Sequence, residues 1–276
     1  MSQEQIIPTV AVVIPVYCRS DEHEQYLTEA LQSVAAQTFR DFEVIIVDDV
    51  SPRDVRPILT KVDGLPHVRY IRNEANVGHA NSRNIGVKST KAEFVAFLDH
   101  DDLWKPEKLE RQVQELKKQT DAGMVFCAVE VFGSHARRLG IDQSIIPDKP
   151  SFYWLINHGN YVITATTAMV RWDVLVEIGL FDPRYSTCDD FDAWLKIVRK
   201  RPILYLPEPL AKYRLHSLNT NYGVDRLNDN RLLTSLLIDY WRSAPLKEKM
   251  LLLPRIGRKL LGRAYFHLFR YRRFND

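Results

Sequence analysis

Three aspartates within four residues follow a short apolar run near the middle of the chain. Residues Phe94–Leu98 are continuously apolar, as in a buried strand, and Asp99, Asp101 and Asp102 come directly after them. Carboxylates at the C-terminal end of a strand build a site at the edge of an α/β sheet. Because they repel one another, and because Mg²⁺ is held by one or two carboxylates plus substrate phosphates, the pattern predicts a metal–diphosphate site. The alternative is a polar loop in which Asp102 caps a helix beginning near Pro106.

A second strand also ends in acidic residues. The run Phe42–Val47 leads to Asp48 and Asp49, which should reach the same edge of the sheet, so that the two acidic ends together suggest a nucleotide and a metal ion. Gly78 then permits a tight turn into a helix that carries Arg83. A helix N-terminus beside strand ends is a natural anion site, although Gly78 could simply turn the chain and Arg83 could be a surface cation.

The first half of the chain alternates between strand and helix patterns. This alternation predicts a doubly wound, mostly parallel sheet with right-handed crossovers. The predicted helices are Glu24–Gln37, a short one starting at Pro52, one after Gly78, and Glu107–Gln119. The predicted strands are Thr9–Tyr17, Phe42–Val47, Val68–Ile71, Phe94–Leu98 and Gly123–Phe132.

The second half is less regular. A loop is expected over Ser134–Pro150, and β structure over Tyr161–Val170 and Ile203–Leu206. An amphipathic helix begins at Asp189 and Asp190. An aspartate there is either an N-cap or a general base that takes a proton from a hydroxyl group. His216 is either a metal ligand or phosphate contact, or a structural residue. From Asp225 onward the pattern is helical.

Bulk properties favour one large domain, or one domain plus an extension, in 276 residues. The cysteines are Cys18, Cys127 and Cys188, a sparse set that favours a reducing compartment. We expect no signal peptide and no membrane span. The net charge is +3, but the tail from Arg242 to Asp276 carries ten basic and two acidic residues and is therefore +8. The rest of the chain carries −5, so the tail and the remainder of the protein have opposite net charges and are considered separately.

Four motifs, taken together, resemble the family 2 glycosyltransferases of bacterial, inverting type, which have the GT-A fold. They are V-V-I-P-V-Y at Val12–Tyr17, Q-T-F-R-D-F-E-V-I-I-V-D-D-V-S at Gln37–Ser51, N-V-G-H-A-N-S-R-N at Asn76–Asn84, and F-L-D-H-D-D-L-W at Phe97–Trp104. Two weaker matches are C-D-D-F-D-A-W-L at Cys188–Leu195 and Y-R-L-H at Tyr213–His216. The resemblance covers about Thr9 to Thr220.

The resemblance implies roles for individual residues. Asp190 would be the catalytic base. Asp101 would be the metal ligand of the D-x-D pair, and His216 would complete the shell of a divalent cation, Mn²⁺ or Mg²⁺. Asp49 would bind the nucleobase, usually uracil, and Asp99 would lie near the ribose and sugar. The other residues implied to bind the nucleotide-sugar are Pro15, Tyr17, Asp101 and Arg83 of the turn-and-helix motif.

Two positions depart from the family pattern. The family usually has Gly where Val50 stands, which should alter the loop beside the nucleotide. It usually has Glu where Asp189 stands, a shortening that leaves the role of Asp190 intact.

The implied function is metal-dependent, inverting transfer of a sugar, most often from a UDP-sugar, to a hydroxyl of a glycan, glycolipid or lipid-linked glycan. A non-catalytic nucleotide-sugar-binding module and a nucleotidyltransferase are the alternatives, and no nucleic-acid partner is expected. The expected domain is 1–222, with a nucleotide-binding half at 9–133 and an acceptor half at 134–222. Residues 223–276 form a basic amphipathic helical extension, which packs on the domain or a second copy, or lies on an anionic membrane. We expect a cytoplasmic protein, with or without peripheral contact to the inner face of the membrane.

Overall fold

The computed structural model describes residues 7–134, 142–216 and 226–257, except 247 and 251 and the side chains of 226–230. One eight-stranded sheet crosses it, with the order β3-β2-β1-β4-β7-β6-β8-β5. The strands are β1 (Val10–Val16), β2 (Phe42–Asp48), β3 (Val68–Arg72), β4 (Phe94–Phe97), β5 (Leu103–Trp104), β6 (Met124–Phe132), β7 (Ala168–Arg171) and β8 (Ile203–Arg214).

The sheet is mostly parallel, with one inverted strand at its centre. Strands β3, β2, β1 and β4 are parallel to one another, and β6 is parallel to β8. Strand β7 runs antiparallel to both β4 and β6, and β5 runs antiparallel to β8. Because β7 is inverted, the segment that precedes it lies at the same edge as the C-terminal ends of β1, β2 and β4.

Helices cover both faces of the sheet, which explains why the strands are apolar on both sides. They are α1 (Asp21–Ala35), α2 (Arg56–Leu59), α3 (Gly78–Lys88), α4 (Lys108–Lys118), α5 (Phe152–His158), α6 (Trp172–Glu177), α7 (Asp189–Val198) and α8 (Arg226–Ser243). Helices α1, α2 and α4 bury their apolar residues in one core layer, with Val12 and Ile14 of β1. Helices α3, α5, α6, α7 and α8 share the other layer, with Val13.

Helix α3 lies unusually close to the sheet. A Cβ added at Gly86 would come within 2.4 Å of Val13 Cγ1, so only glycine fits at this crossing without a shift in the core. The close approach packs the C-terminal half of α3 against the middle of β1.

The structure corrects several predicted elements. The helix expected at Pro52 begins at Arg56, because the main chain first turns where Ser51 N donates to Asp48 Oδ1 (2.7 Å). Only the last three residues of the predicted β segment Tyr161–Val170 lie in a strand, β7 (Ala168–Arg171), and residues 165–167 form a 3₁₀ turn. Strand β8 continues past its prolines to Arg214, with register shifts around Ala128 of β6.

The C-terminal extension is described only in part. Helix α8 packs on α5 and α7, and helical residues continue between 246 and 257, where Leu252 and Ile256 are buried. Most of the predicted amphipathic stretch Leu251–Arg273 lies outside the described residues. None of the helices in the described ranges is long and apolar enough to cross a membrane.

Candidate active site

A cleft of about 380 Å³ opens where β1, β2 and β4 end. Its walls come from these strand ends, from the first turns of α3 and α7, and from the segment before β7. Seven of the eight residues proposed from sequence line it: Pro15, Tyr17, Asp49, Arg83, Asp99, Asp101 and Asp190. The eighth, His216, is buried directly behind Asp101.

The Asp99–Asp102 loop is anchored by threonines that precede β7. Thr164 Oγ1 donates to Asp99 Oδ2 (3.0 Å), and the backbone N–H of Asp99 donates to Thr166 Oγ1 (3.1 Å). The hydroxyl of Thr166 then donates to Asp102 Oδ2 (2.6 Å). One buried threonine therefore connects the first and last aspartates of the loop.

Asp102 supports the loop from inside the protein. It is fully buried and accepts a second hydrogen bond, at Oδ1, from the backbone N–H of Arg214 (2.9 Å). Burial, together with the charges of Asp101 and Asp99, raises the pKa of Asp102 well above its usual range. Asp102 does not cap α4, whose N-cap is Glu107, without a side-chain capping bond. The alternative of a simple capping residue is therefore wrong.

Asp101 of the cleft and His216 behind it form a carboxylate–imidazole pair that could hold a metal ion. Asp101 Oδ2 and His216 Nε2 are 3.1 Å apart. Two ligands at about 2.1 Å from one octahedral ion lie about 3 Å apart when they are at right angles, so the pair fits a shared divalent cation. Among the described side chains, no three His, Cys, Asp or Glu residues form a metal cluster. A bound ion would then need further ligands from a diphosphate and water, as is usual for Mg²⁺.

Arg83 connects the two sides of the cleft. Its side chain is 6% exposed, and it donates from Nη2 to Asp99 Oδ1 (2.7 Å) and from Nη1 to Asp189 Oδ2 (3.1 Å). Burial disfavours the charge, but Asp99 and Asp189 outweigh it and raise the pKa of Arg83 above its ordinary value. His79 Nε2 lies 2.8 Å from the other oxygen of Asp189. Both oxygens of Asp189 are thus occupied by Arg83 and His79. Of the two α7 aspartates that line the cleft, Asp190 is therefore the one with capacity for a substrate.

Asp190 has the electrostatic character of a general base. Its carboxylate accepts from its neighbour's backbone, Phe191 N (2.6 Å), and from Asn160 Nδ2 (3.2 Å). Burial and the charge of Asp189 raise its pKa to about 6, against the lowering effect of Arg83. A base is most effective when its pKa lies near the working pH, because it is then ionised and still able to hold a proton.

Asp49 holds the start of α3. The backbone N–H groups of Val77 and Gly78 donate to its two oxygens (2.8 Å each), and Asn73 Nδ2 donates to Oδ1 (2.8 Å). The next residue, Val50, has φ of 62°, a left-handed conformation that is strained for a β-branched side chain. At this position, where the family pattern has glycine, the chain carries valine in a backbone conformation that suits glycine.

Some residues of the site could not be recognised from the sequence. Thr164 and Thr166 lie in the segment Tyr161–Val170, whose β-branched residues indicate a strand. Asn160 lies just before that segment, and nothing in the motif around His79 singles out its side chain. The one usable signal was the cluster of hydroxyl residues T-A-T-T at Thr164–Thr167. Hydroxyl side chains in a row often bond to nearby polar groups in turns rather than continue a strand.

Comparisons with known proteins agree with this fold and identify the family. The family model described as Glycosyl transferase family 2 matches residues 11–179, more than half of the chain. An uncharacterized glycosyltransferase of Rickettsia typhi is 30% identical over 242 residues, which are 85% of this chain and 73% of the relative. A putative teichuronic acid biosynthesis glycosyltransferase, TuaG of Bacillus subtilis, is 32% identical over 78% of this chain and 82% of its own. The chain belongs to glycosyltransferase family 2.

Solved structures share the fold at lower identity. S. aureus TarS 1-349 in complex with UDP-GlcNAc superposes with a TM-score of 0.71 at 21% identity, covering 91% of this chain and 72% of TarS. The mannosyltransferase PcManGT from Pyrobaculum calidifontis, in complex with GDP-Man and Mn²⁺, gives 0.64 at 18% identity, covering 94% and 76%. The protein is therefore a glycosyltransferase with the GT-A fold, as the sequence motifs predicted.

Proposed function

We propose that this glycosyltransferase moves a sugar from a UDP-sugar to a hydroxyl of a glycan or lipid-linked glycan, with inversion at the anomeric carbon and with the aid of a divalent cation. The observation that carries the proposal is the position of Asp190, with a pKa of about 6, in the same cleft as Asp99 and Asp101. The UDP-GlcNAc held by TarS, and the GDP-Man and Mn²⁺ held by the mannosyltransferase PcManGT, support a nucleotide-sugar donor and metal dependence.

The reaction follows from the roles of the side chains. The Asp190 carboxylate takes the proton of the acceptor hydroxyl as its oxygen forms a bond to the anomeric carbon of the donor. The bond from that carbon to the diphosphate oxygen breaks on the opposite face, and the nucleoside diphosphate leaves with the electron pair. A single displacement inverts the anomeric centre and needs no covalent sugar–enzyme intermediate.

The remaining side chains bind and orient the donor. Asp101 and His216 would hold Mn²⁺ or Mg²⁺, which when bound stabilises negative charge on the leaving diphosphate. Arg83 keeps Asp99 oriented toward the ribose and sugar. Asp49 has both oxygens in hydrogen bonds with the first turn of α3, so it would offer a remaining lone pair to the nucleobase of the donor. Pro15 and Tyr17 line the pocket beside the nucleobase.

Donor binding measured by calorimetry tests the proposal. UDP, GDP, ADP and CDP would be titrated with and without Mn²⁺ or Mg²⁺, into wild type and Asp101→Ala. We expect UDP binding that requires the metal and is lost in Asp101→Ala. Tight binding of GDP instead would mean that the donor is a GDP-sugar, with the same mechanism. Folded wild-type protein that binds none of the four would contradict the proposal.

Product analysis separates the two alternatives. A nucleotidyltransferase would release pyrophosphate, and a sugar-binding module would bind the donor without transfer or hydrolysis on any acceptor. The domain halves at 9–133 and 134–222, the cytoplasmic location, and membrane or dimer contacts of the tail stay predictions.

A further inference from the structure

We infer that α5 and the loop that follows it form the acceptor subsite, and that this subsite takes a pyranose ring of a glycan acceptor. This inference rests on the proposed role of Asp190, because an acceptor hydroxyl must reach that carboxylate. Helix α5 lies outside the cleft that holds the donor, the loop after it lines that cleft only at its far end, at Ile163 and Thr164, and no step of the mechanism above uses the α5 rings.

The loop leads from the aromatic residues directly to the catalytic base. Asn160 donates through Nδ2 to Asp190 Oδ2 (3.2 Å), while its own Oδ1 is buried with no hydrogen-bond partner. A buried carbonyl oxygen without a donor is costly, and such atoms mark places where a partner is missing. A hydroxyl group of an acceptor seated beside Asp190 would supply that donor.

The backbone of the same loop is held under strain. Ile163 has φ of 57°, which is rare for a β-branched residue, and it lines the cleft. The next residue, Thr164, is bonded to Asp99, and Asn160 is bonded to Asp190, so the loop is held at both ends by carboxylates of the cleft. Strain of this kind persists only where the surroundings impose it, and it concentrates at ligand sites.

Three rings beside Asn160 present an aromatic surface. Trp154 and His158 stack with 4.6 Å between ring centroids, and Tyr161 packs edge-on against Trp154 at 5.1 Å. His158 is exposed, and the other two are partly exposed. Tyr161 follows Asn160 in sequence, so its Cα lies about 3.8 Å from that of the residue that contacts the base.

The chemistry of this cluster suits a sugar ring. The C–H groups on one face of a pyranose pack on an aromatic face, while its hydroxyls need hydrogen-bond partners at the edge. His158 Nδ1 lies 2.9 Å from the carbonyl oxygen of Trp154 and must donate to it, so in the neutral ring Nε2 remains as an acceptor. An aromatic surface with an acceptor at its rim, next in sequence to the Asn160 that contacts the base, fits a glycan better than a purely apolar or purely ionic acceptor.

Trisaccharide binding to the UDP-loaded protein tests the inference. Cellotriose, chitotriose and xylotriose would be measured by saturation-transfer NMR against wild type, His158→Ala and Tyr161→Ala. Tyr153→Ala is the matched control, because Tyr153 is an exposed aromatic residue (38%) on the same helix outside the three-ring cluster. Calorimetric UDP affinity and circular dichroism would establish that each variant is folded and binds the donor nucleotide.

We expect at least one trisaccharide to bind wild type and Tyr153→Ala equally, and to bind His158→Ala and Tyr161→Ala about tenfold more weakly, with UDP affinity unchanged. The inference is overturned if none of the three sugars binds, or if the cluster variants bind as well as the control. Hydrolysis of UDP-GlcNAc and UDP-Glc without acceptor is measured in parallel. Its absence, with sugar binding intact, would count against the proposed catalysis and not against the subsite.

Discussion

We expect Asp190→Asn to remove most of the transferase activity and to make the protein more stable at neutral pH. The two effects have one cause, which is that the folded protein holds the charge of Asp190 in a poorly solvated position beside Asp189. The environment that raises the pKa of the carboxylate, and so makes it a useful base, also makes its ionised form unfavourable in the folded protein.

The magnitude follows from the pKa of Asp190, which is raised from an ordinary 3.8 to about 6. A difference of about two pKa units between the folded and unfolded states corresponds to roughly 3 kcal/mol once both states are ionised. Below about pH 4 the carboxyl group is protonated in both the folded and the unfolded state, and it then does not lower the free energy of unfolding. The penalty therefore grows between about pH 4 and pH 6 and is constant at higher pH, and asparagine removes it.

Asparagine also fits the hydrogen bonds at this position. Its side-chain oxygen can accept from Phe191 N as the aspartate does. Its NH₂ group would face the NH₂ group of Asn160, but Asn160 can rotate its amide and offer the Oδ1 atom that has no partner now. The substitution therefore relieves a buried charge, and the rotated Asn160 amide still leaves one unpaired group, its NH₂ in place of its Oδ1.

Urea unfolding and steady-state kinetics would measure the two effects. Asp190→Asn should gain about 2–3 kcal/mol in unfolding free energy at pH 7.5 and only about 1 kcal/mol at pH 4.5. Its turnover should fall by about 10²–10⁴-fold, and in wild type kcat/KM should fall about tenfold per pH unit below pH 6. Asp173→Asn removes an exposed carboxylate from the first turn of α6 and should change neither quantity.

Two results would refute this reasoning. An Asp190→Asn protein less stable than wild type at pH 7.5 would mean that the charge is not strained in the folded state. Near-normal turnover with donor still bound would mean that another group is the base.

Three further substitutions test the scaffold around the site. Thr166→Val should lower the unfolding free energy by about 1–3 kcal/mol in urea titrations, because Asp102 and the backbone N–H of Asp99 lose a buried partner; no change would show that water replaces the hydroxyl. Val50→Gly should raise the melting temperature, since the left-handed backbone costs valine about 1–2 kcal/mol, and a decrease would mean that its packing outweighs the strain. Lys108→Met should abolish a rise in wild-type stability between pH 8 and 10. Burial lowers the pKa of Lys108 to about 8, so the unfolded state binds more protons over that range, and equal pH slopes for the two proteins would contradict this.

The donor side of the molecule could be predicted from sequence because its signals are local. Parallel strands covered on both faces read as continuous apolar runs, and the aspartates that follow them necessarily reach one edge of the sheet. The positions of Asp99, Asp101 and Asp49 in the cleft follow from those two facts. Their hydrogen-bond partners do not, because a spacing in sequence says nothing about which side chain from another segment arrives beside them.

The acceptor side could not be predicted for the same reason. Residues 165–167 form a turn because Thr164 and Thr166 bond to aspartates more than sixty residues earlier, and that tertiary bonding overrides β propensity. Helix α5 is too short, and too rich in aromatic residues, for its apolar periodicity to be clear. Strand β8 is obscured by Pro207 and Pro209, which are accommodated where its register with β6 shifts.

The inverted strand β7 also sets the order in which the protein can fold. It is the only described strand that joins β4 to β6, so the half of the sheet with β1–β4 cannot bond to the half with β6 and β8 until residue 171 is available. During synthesis the edge of β4 therefore stays unpaired for more than seventy residues after the strand itself has emerged. Long-range pairing of this kind is slow and exposes a strand edge. Truncations that end before β7 should therefore expose β4 and aggregate rather than yield an isolated nucleotide-binding half.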